Sequence, residues 1–149
     1  MTAAEPKPTL HTLQPAVLAG RLAHGLRLEV GPFVVRLAGR DPALAACLAS
    51  HYPDYPLAED DAFADAGIEL RDQGRWARWR GHPRVLSLED GGDFARFPAE
   101  QLLAQMEWAL NWCIAMRANQ FLMLHAAVVA RDAGALILPG VPGAGKSTL

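Results

Sequence analysis

At residues 26–30 the chain reads leucine, arginine, leucine, glutamate, valine, and apolar positions stay frequent through residues 33–37. Alternation with period two marks strands with one buried face, so this stretch predicts two strands joined at Gly31-Pro32. In DPALAACLASHY the period lengthens. Leu44, Cys47 and Leu48 share one helical face, Asp41 stands where a helix cap accepts backbone N–H groups, and Pro42 suits the first helical position. Prolines and an acidic run make PDYPLAEDDAFAD a loop. Three short β segments are expected at residues 68–71, 76–80 and 85–88, punctuated by Gly74, Gly81 and Gly91-Gly92. The longest helix is predicted over residues 98–118, with Pro98 opening it and Glu100 in its first turn. Leu102, Leu103, Met106, Ala109, Leu110, Cys113 and Ile114 form its core-facing arc. Trp108 and Trp112 fall on the opposite flank beside Gln101 and Gln105, either under a second element or as a docking surface for a subunit or partner.

The last third of the pattern differs. MLHAAVVA and ALILPG are apolar runs about as long as buried strands, separated by Arg131-Asp132-Ala133-Gly134. The expected organisation is therefore a flexible tail at residues 1–14, with Pro6 and Pro8 and little to bury, and an α+β N-terminal domain at 15–120. A strand pair at 121–149 runs into a glycine-rich loop.

Composition narrows the function classes. With 51% hydrophobic and 20% charged residues, the 149-residue chain has the make-up of a globular domain able to bury a core. A net charge of -2 gives no broad attraction to nucleic acid or anionic lipid, so neither nucleic acid nor membrane is expected as a partner. The start, MTAAEPKPTLHTLQPA, lacks the basic segment and apolar run of a signal peptide, and the apolar run at 121–130 is too short to span a bilayer. Cys47 and Cys113 are far apart and fit buried free thiols, consistent with a reducing, cytoplasmic setting.

Candidate chemistry concentrates at the end, in LILPGVPGAGKSTL. From Gly140 it matches G-x-x-x-x-G-K-[ST], a pattern that chance produces in roughly one chain of this length in a few hundred. Each residue type has a physical task. Gly140 and Gly145 let the backbone curl so that successive N–H groups approach a β-phosphate, Gly143 adds freedom, and Pro142 stiffens one corner. Lys146 brings positive charge to the β- and γ-phosphates, and the Ser147 hydroxyl is the expected Mg2+ ligand. Val141, Ala144 and Thr148 complete the segment that would wrap the nucleotide. A helix starting near Lys146 would aim its N-terminal N–H groups at the same anion.

The stretch LHAAVVARDAGALILPGVPGAGKSTL resembles the opening of the kinase domain in HPr kinase/phosphorylase and its relatives, in particular HPr kinase-related kinase A. The resemblance covers about residues 121–149; the region upstream is similar to the N-terminal part of the related kinases, but no catalytic role attaches to it. It implies an α+β N-terminal domain followed by the first strands and phosphate-binding loop of an α/β P-loop kinase domain. The implied cofactors are ATP and Mg2+, and the implied activity is transfer of the γ-phosphoryl group to a hydroxyl, on a protein or peptide serine. It also implies that His125, fifteen residues before Gly140, sits on a strand close to the phosphates. The family's catalytic acidic residues follow the loop and would lie beyond Leu149. The 149 residues are thus expected to be an inactive piece of a longer kinase, with an oligomer left open as its assembly. An ABC-type or other P-loop ATPase is the rival enzyme reading, and a nucleotide-sensing or partner-binding accessory module is the non-enzyme one.

Other clusters read as ordinary surface. Glu59, Asp60, Asp61 and Asp65 lack the glycine turn and spacing of a cation loop, and His51 and His82 flank prolines in loop-like stretches. RWARWRGHPR mixes arginine with Trp76 and Trp79 as single-strand-binding surfaces do, but nearby acids and the overall charge favour a hairpin with an exposed basic face.

Overall fold

A computed structural model describes residues 7–74, 76, 79–80, 84–141 and 143–145. They form two compact units, residues 1–117 and 118–149, whose boundary falls three residues before the expected one.

The first unit is a mixed α/β fold. Its described elements are α1 (Pro15–His24), β1 (Leu26–Val30), β2 (Phe33–Gly39), α2 (Pro42–His51), β3 (Ala66–Asp72), β4 (Arg84–Leu88) and α3 (Leu102–Arg117). The four strands make one mixed sheet in the order β1-β2-β3-β4. β1 pairs with β2 and β3 with β4 in antiparallel fashion, while β2 and β3 run parallel, joined through α2. A parallel pair needs a crossover longer than a hairpin turn, and α2 with the loop after it supplies the length.

Alternation along the strands decides which face is buried. Leu26, Leu28, Val35, Leu37, Ile68, Leu70 and Leu86 are all at most 5% exposed; α1 packs on β1 and β2, α3 on β3 and β4, and α2 against both helices. In register, Arg36 lies opposite Gly67 and Ala38 opposite Glu69, so these residues share the other face. Two glycines make room there: a Cβ on Gly25, whose φ is 104°, would collide with the Arg36 guanidinium, and a Cβ on Gly67 with the Glu89 carboxylate. Arg36 and Glu89 form an ion pair between them.

Helix boundaries follow local chemistry. The Asp41 side chain accepts the Ala43 N–H at 2.9 Å, and the Arg84 Nε donates to its other oxygen at 2.6 Å. Burial alone would raise the Asp41 pKa, but these hydrogen bonds and the guanidinium charge outweigh it and hold the pKa below its ordinary value of 3.8. A depressed carboxylate pKa contributes stability that is present above the unfolded value and lost as pH falls through the folded one. Asn can still cap α2, so Asp41→Asn removes the charge facing Arg84 and should cost about 0.5–1.5 kcal/mol near neutral pH. Urea titrations of both proteins should show the gap closing below about pH 4, where the unfolded-state carboxyl protonates. A gap that persists unchanged at pH 3 would show that charge at Asp41 has no part in it.

Several expectations are corrected. Residues 7–14 do not fray: Leu10 is 1% exposed, its N–H bonds to the Tyr55 carbonyl at 3.1 Å, and Lys7 Nζ bonds to Glu29 at 2.6 Å. One buried leucine and a backbone bridge between Thr9 and Pro56 are enough to dock a proline-containing segment. The Arg80 N–H bonds to the Trp76 carbonyl, a contact four residues back that no strand makes, so these residues do not form the β segment expected at 76–80, nor a hairpin; Arg75, Ala77 and Arg78 lie outside the described residues. The predicted long helix starts with a 3-10 turn over Ala99–Gln101 before α3 proper. Within α3, Leu102, Met106, Ala109, Leu110 and Cys113 are buried, and Leu103 and Ile114 half-buried. Cys113 is buried and Cys47 only half-buried, and both are free. Trp108 stacks edge-on against Phe94 at 4.7 Å yet remains 51% exposed. Among the described residues no helix is long and apolar enough to cross a membrane.

Candidate nucleotide-binding loop

The second unit is built on β5 (Ala126–Arg131) and β6 (Gly134–Pro139), an antiparallel hairpin in register from Ala126↔Pro139 to Arg131↔Gly134. Its two-residue turn has Asp132 at φ 52°. A positive φ at this position matches the twist of hairpin strands, and aspartate tolerates it better than most residues.

β6 ends at Pro139 and runs directly into Gly140. Gly143 and Gly145 have φ of 84° and 78°, a region that costs a side-chain-bearing residue strain and glycine very little. The Ala144 N–H bonds back to the Val141 carbonyl at 3.1 Å, so the backbone turns tightly within the motif. No atom lies within 4 Å of where a Cβ would stand on Gly143 or Gly145, which leaves the backbone open to approach. These features fit a phosphate cradle, in which main-chain N–H groups rather than side chains meet the anion. Pro142, Lys146, Ser147 and Thr148 lie outside the described residues.

Two expectations change here. His125 precedes β5 rather than lying in it, and it is exposed. It directly precedes Ala126, which pairs with Pro139, the residue before Gly140. The strands expected to be buried are not: Val128 is 61% exposed, Val129 52%, Leu136 60% and Ile137 49%. Two strands have two faces and no interior between them, so an apolar hairpin leaves much of both faces uncovered.

The remaining reactive side chains are committed elsewhere. Burial, with the Glu107 carboxylate nearby, pushes the Cys47 thiol up, and burial does the same to Cys113. Reactive cysteines are shifted the opposite way. Burial and Glu107, which accepts from the Tyr52 hydroxyl at 3.4 Å, likewise raise the Tyr52 phenol. In the acidic loop Asp60 pairs with Arg21, and Asp65 accepts the Val34 N–H at 2.8 Å. Among the described residues no group of three or more His, Cys, Asp or Glu is placed to hold a metal ion. His51 Nδ1 sits 3.0 Å from the Cys47 carbonyl on the surface, and His82 lies outside the described residues.

No protein-family model matches the chain, and no curated protein or solved structure matches it either.

Proposed function

We propose that Gly140 to Ser147 bind the phosphates of ATP with Mg2+, and that the protein is an ATP-dependent kinase of the HPr kinase-related type. The single observation behind this reading is the loop itself: G-x-x-x-x-G-K-S directly after β6, with Gly143 and Gly145 in the backbone region that phosphate loops use. Bound Mg2+ would neutralise charge on the β- and γ-phosphates. Main-chain N–H groups of residues 140–147 would hold the β-phosphate, Lys146 would bring a fixed cation, and the Ser147 hydroxyl would fix the metal's position. In the transfer, the bond between the γ-phosphorus and the bridging oxygen breaks and that oxygen leaves with ADP. The acceptor hydroxyl oxygen bonds to phosphorus, and its proton passes to a base. Catalysis of this kind is mostly positioning and charge neutralisation, which such a loop supplies.

Two measurements test the reading. ATP should bind saturably and more tightly with Mg2+ than without it, by calorimetry. With γ-labelled ATP and a form of the protein that carries the acidic residues expected to follow the loop, the label should appear in a protein or peptide hydroxyl. Label released only as inorganic phosphate would support the P-loop ATPase instead, and absence of any Mg2+-dependent ATP binding would sink both.

A further inference from the structure

A cleft of about 890 Å3 opens at one end of the four-stranded sheet. Topology explains its position. β2 and β3 are parallel, so their carboxyl ends at Gly39 and Asp72 face the same way, and antiparallel β4 begins beside them at Arg84. Outside the carboxyl ends of parallel strands, side chains from the strand ends and following turns converge on a common crevice, where open α/β sheets place their ligands.

What converges here is arginine. Arg36, Arg40, Arg71 and Arg84 line the cleft, from three strands and the turn before α2. Three are held in place: Arg84 by Asp41 at 2.6 Å, Arg71 by Glu69 at 2.8 Å, and Arg36 by Glu89 and by the His24 carbonyl at 2.9 Å. Arg40 is exposed and has no ion-pair partner among the described residues. Asp41, Glu69 and Asp72 are the carboxylates among the described lining residues, and with Glu89 on Arg36 four carboxylates face the four guanidinium groups, so Arg40 is set apart by lacking an ion pair and not by excess charge. Ala23, Ala38 and Leu70 supply apolar wall. Asp41 already takes the Ala43 N–H at the start of α2, so the guanidinium groups rather than the helix end are the donors on offer.

We propose that this cleft binds a small ligand or side chain in which one oxyanion group, phosphate or carboxylate, is joined to a compact apolar body. The planar guanidinium fork matches both oxyanions, and one arginine without an ion-pair partner among the described residues, Arg40, matches one anionic group. Resident ion pairs fix three of the arginines beforehand, which lowers the ordering cost of binding. The volume lies within the roughly 300–1,000 Å3 of small-ligand sites. The site uses first-unit residues alone and does not rest on the nucleotide reading.

The test is a titration of the isotope-labelled chain with inorganic phosphate, phosphoserine and succinate, followed by amide NMR. Saturable shifts at Arg40, Leu70 and Gln73 are expected. Arg40→Glu, a change at an exposed position that should leave the spectrum dispersed, should weaken binding by about ten-fold or more, the effect of losing one charged hydrogen-bond partner. Response to phosphoserine but not succinate assigns a phosphate ligand, and the reverse a carboxylate. No saturable shift at these amides with any probe overturns the proposal, as does an affinity unchanged in both Arg40→Glu and Arg71→Gln. Shifts confined to residues 140–147 overturn it too, since they would report the phosphate loop.

Discussion

In a form of the protein that carries the acidic residues expected to follow the loop, Lys146→Ala should lower phosphoryl transfer by about 10²–10³-fold, the usual cost of removing one preorganised group that stabilises developing charge. Within residues 118–149 the sequence offers no second cation beside the loop. Its only other lysine, Lys7, is bound to Glu29 at 2.6 Å in the first unit. The nearest arginine before the loop in sequence is Arg131, at the far end of the hairpin. A lysine that follows charge onto the β- and γ-phosphates acts more on the transition state than on bound ATP, so kcat should fall further than affinity. Transfer rates with γ-labelled ATP, set beside circular dichroism spectra to show an intact fold, are the check. A variant within about ten-fold of wild type would remove Lys146 from the mechanism, because losses that small are within reach of indirect effects.

Phe97→Ala should be the most damaging single truncation in the first unit, at about 3–5 kcal/mol. Phe97 is 1% exposed and is among the largest fully buried side chains. Its N–H bonds to the Arg84 carbonyl at 3.0 Å, which ties residues 89–97 alongside β4. Truncation would therefore leave a cavity and loosen the segment that covers the sheet edge. Against a total stability of about 5–15 kcal/mol, such a loss is large. Urea denaturation should show a lower midpoint with an unchanged slope, and Phe63→Ala, at a side chain 83% exposed, should change little. A Phe97→Ala midpoint matching that of Phe63→Ala would mean that the aromatic ring fills no core space.

Legibility in the sequence followed how local the determining physics is. Period-two alternation was enough for β1 and β2, and the Asp41-Pro42 cap with the Leu44 and Leu48 stripe was enough for α2, because each signal lies within a dozen residues. The candidate loop after β6 is a local signal too: its glycines, lysine and serine lie close together in sequence, directly after the strand. Trp76 and Trp79 misled because β-propensity in aromatic residues reports a fit to a half-buried surface, and both rings are at least 80% exposed.

Tertiary structure alone decided the rest. Nothing in residues 33–39 or 66–72 states that these strands pair in parallel, and that pairing is what brings Arg40, Arg71 and Arg84 to one cleft. Leu10 and Phe97 are buried in the core cluster by partners outside their own windows, so the window around Leu10 reads as tail and the one around Phe97 as no element. The hairpin shows the converse. AAVVA and ALIL carry the composition of interior strands, yet burial depends on what lies across each face, a property of neighbours that no local pattern contains.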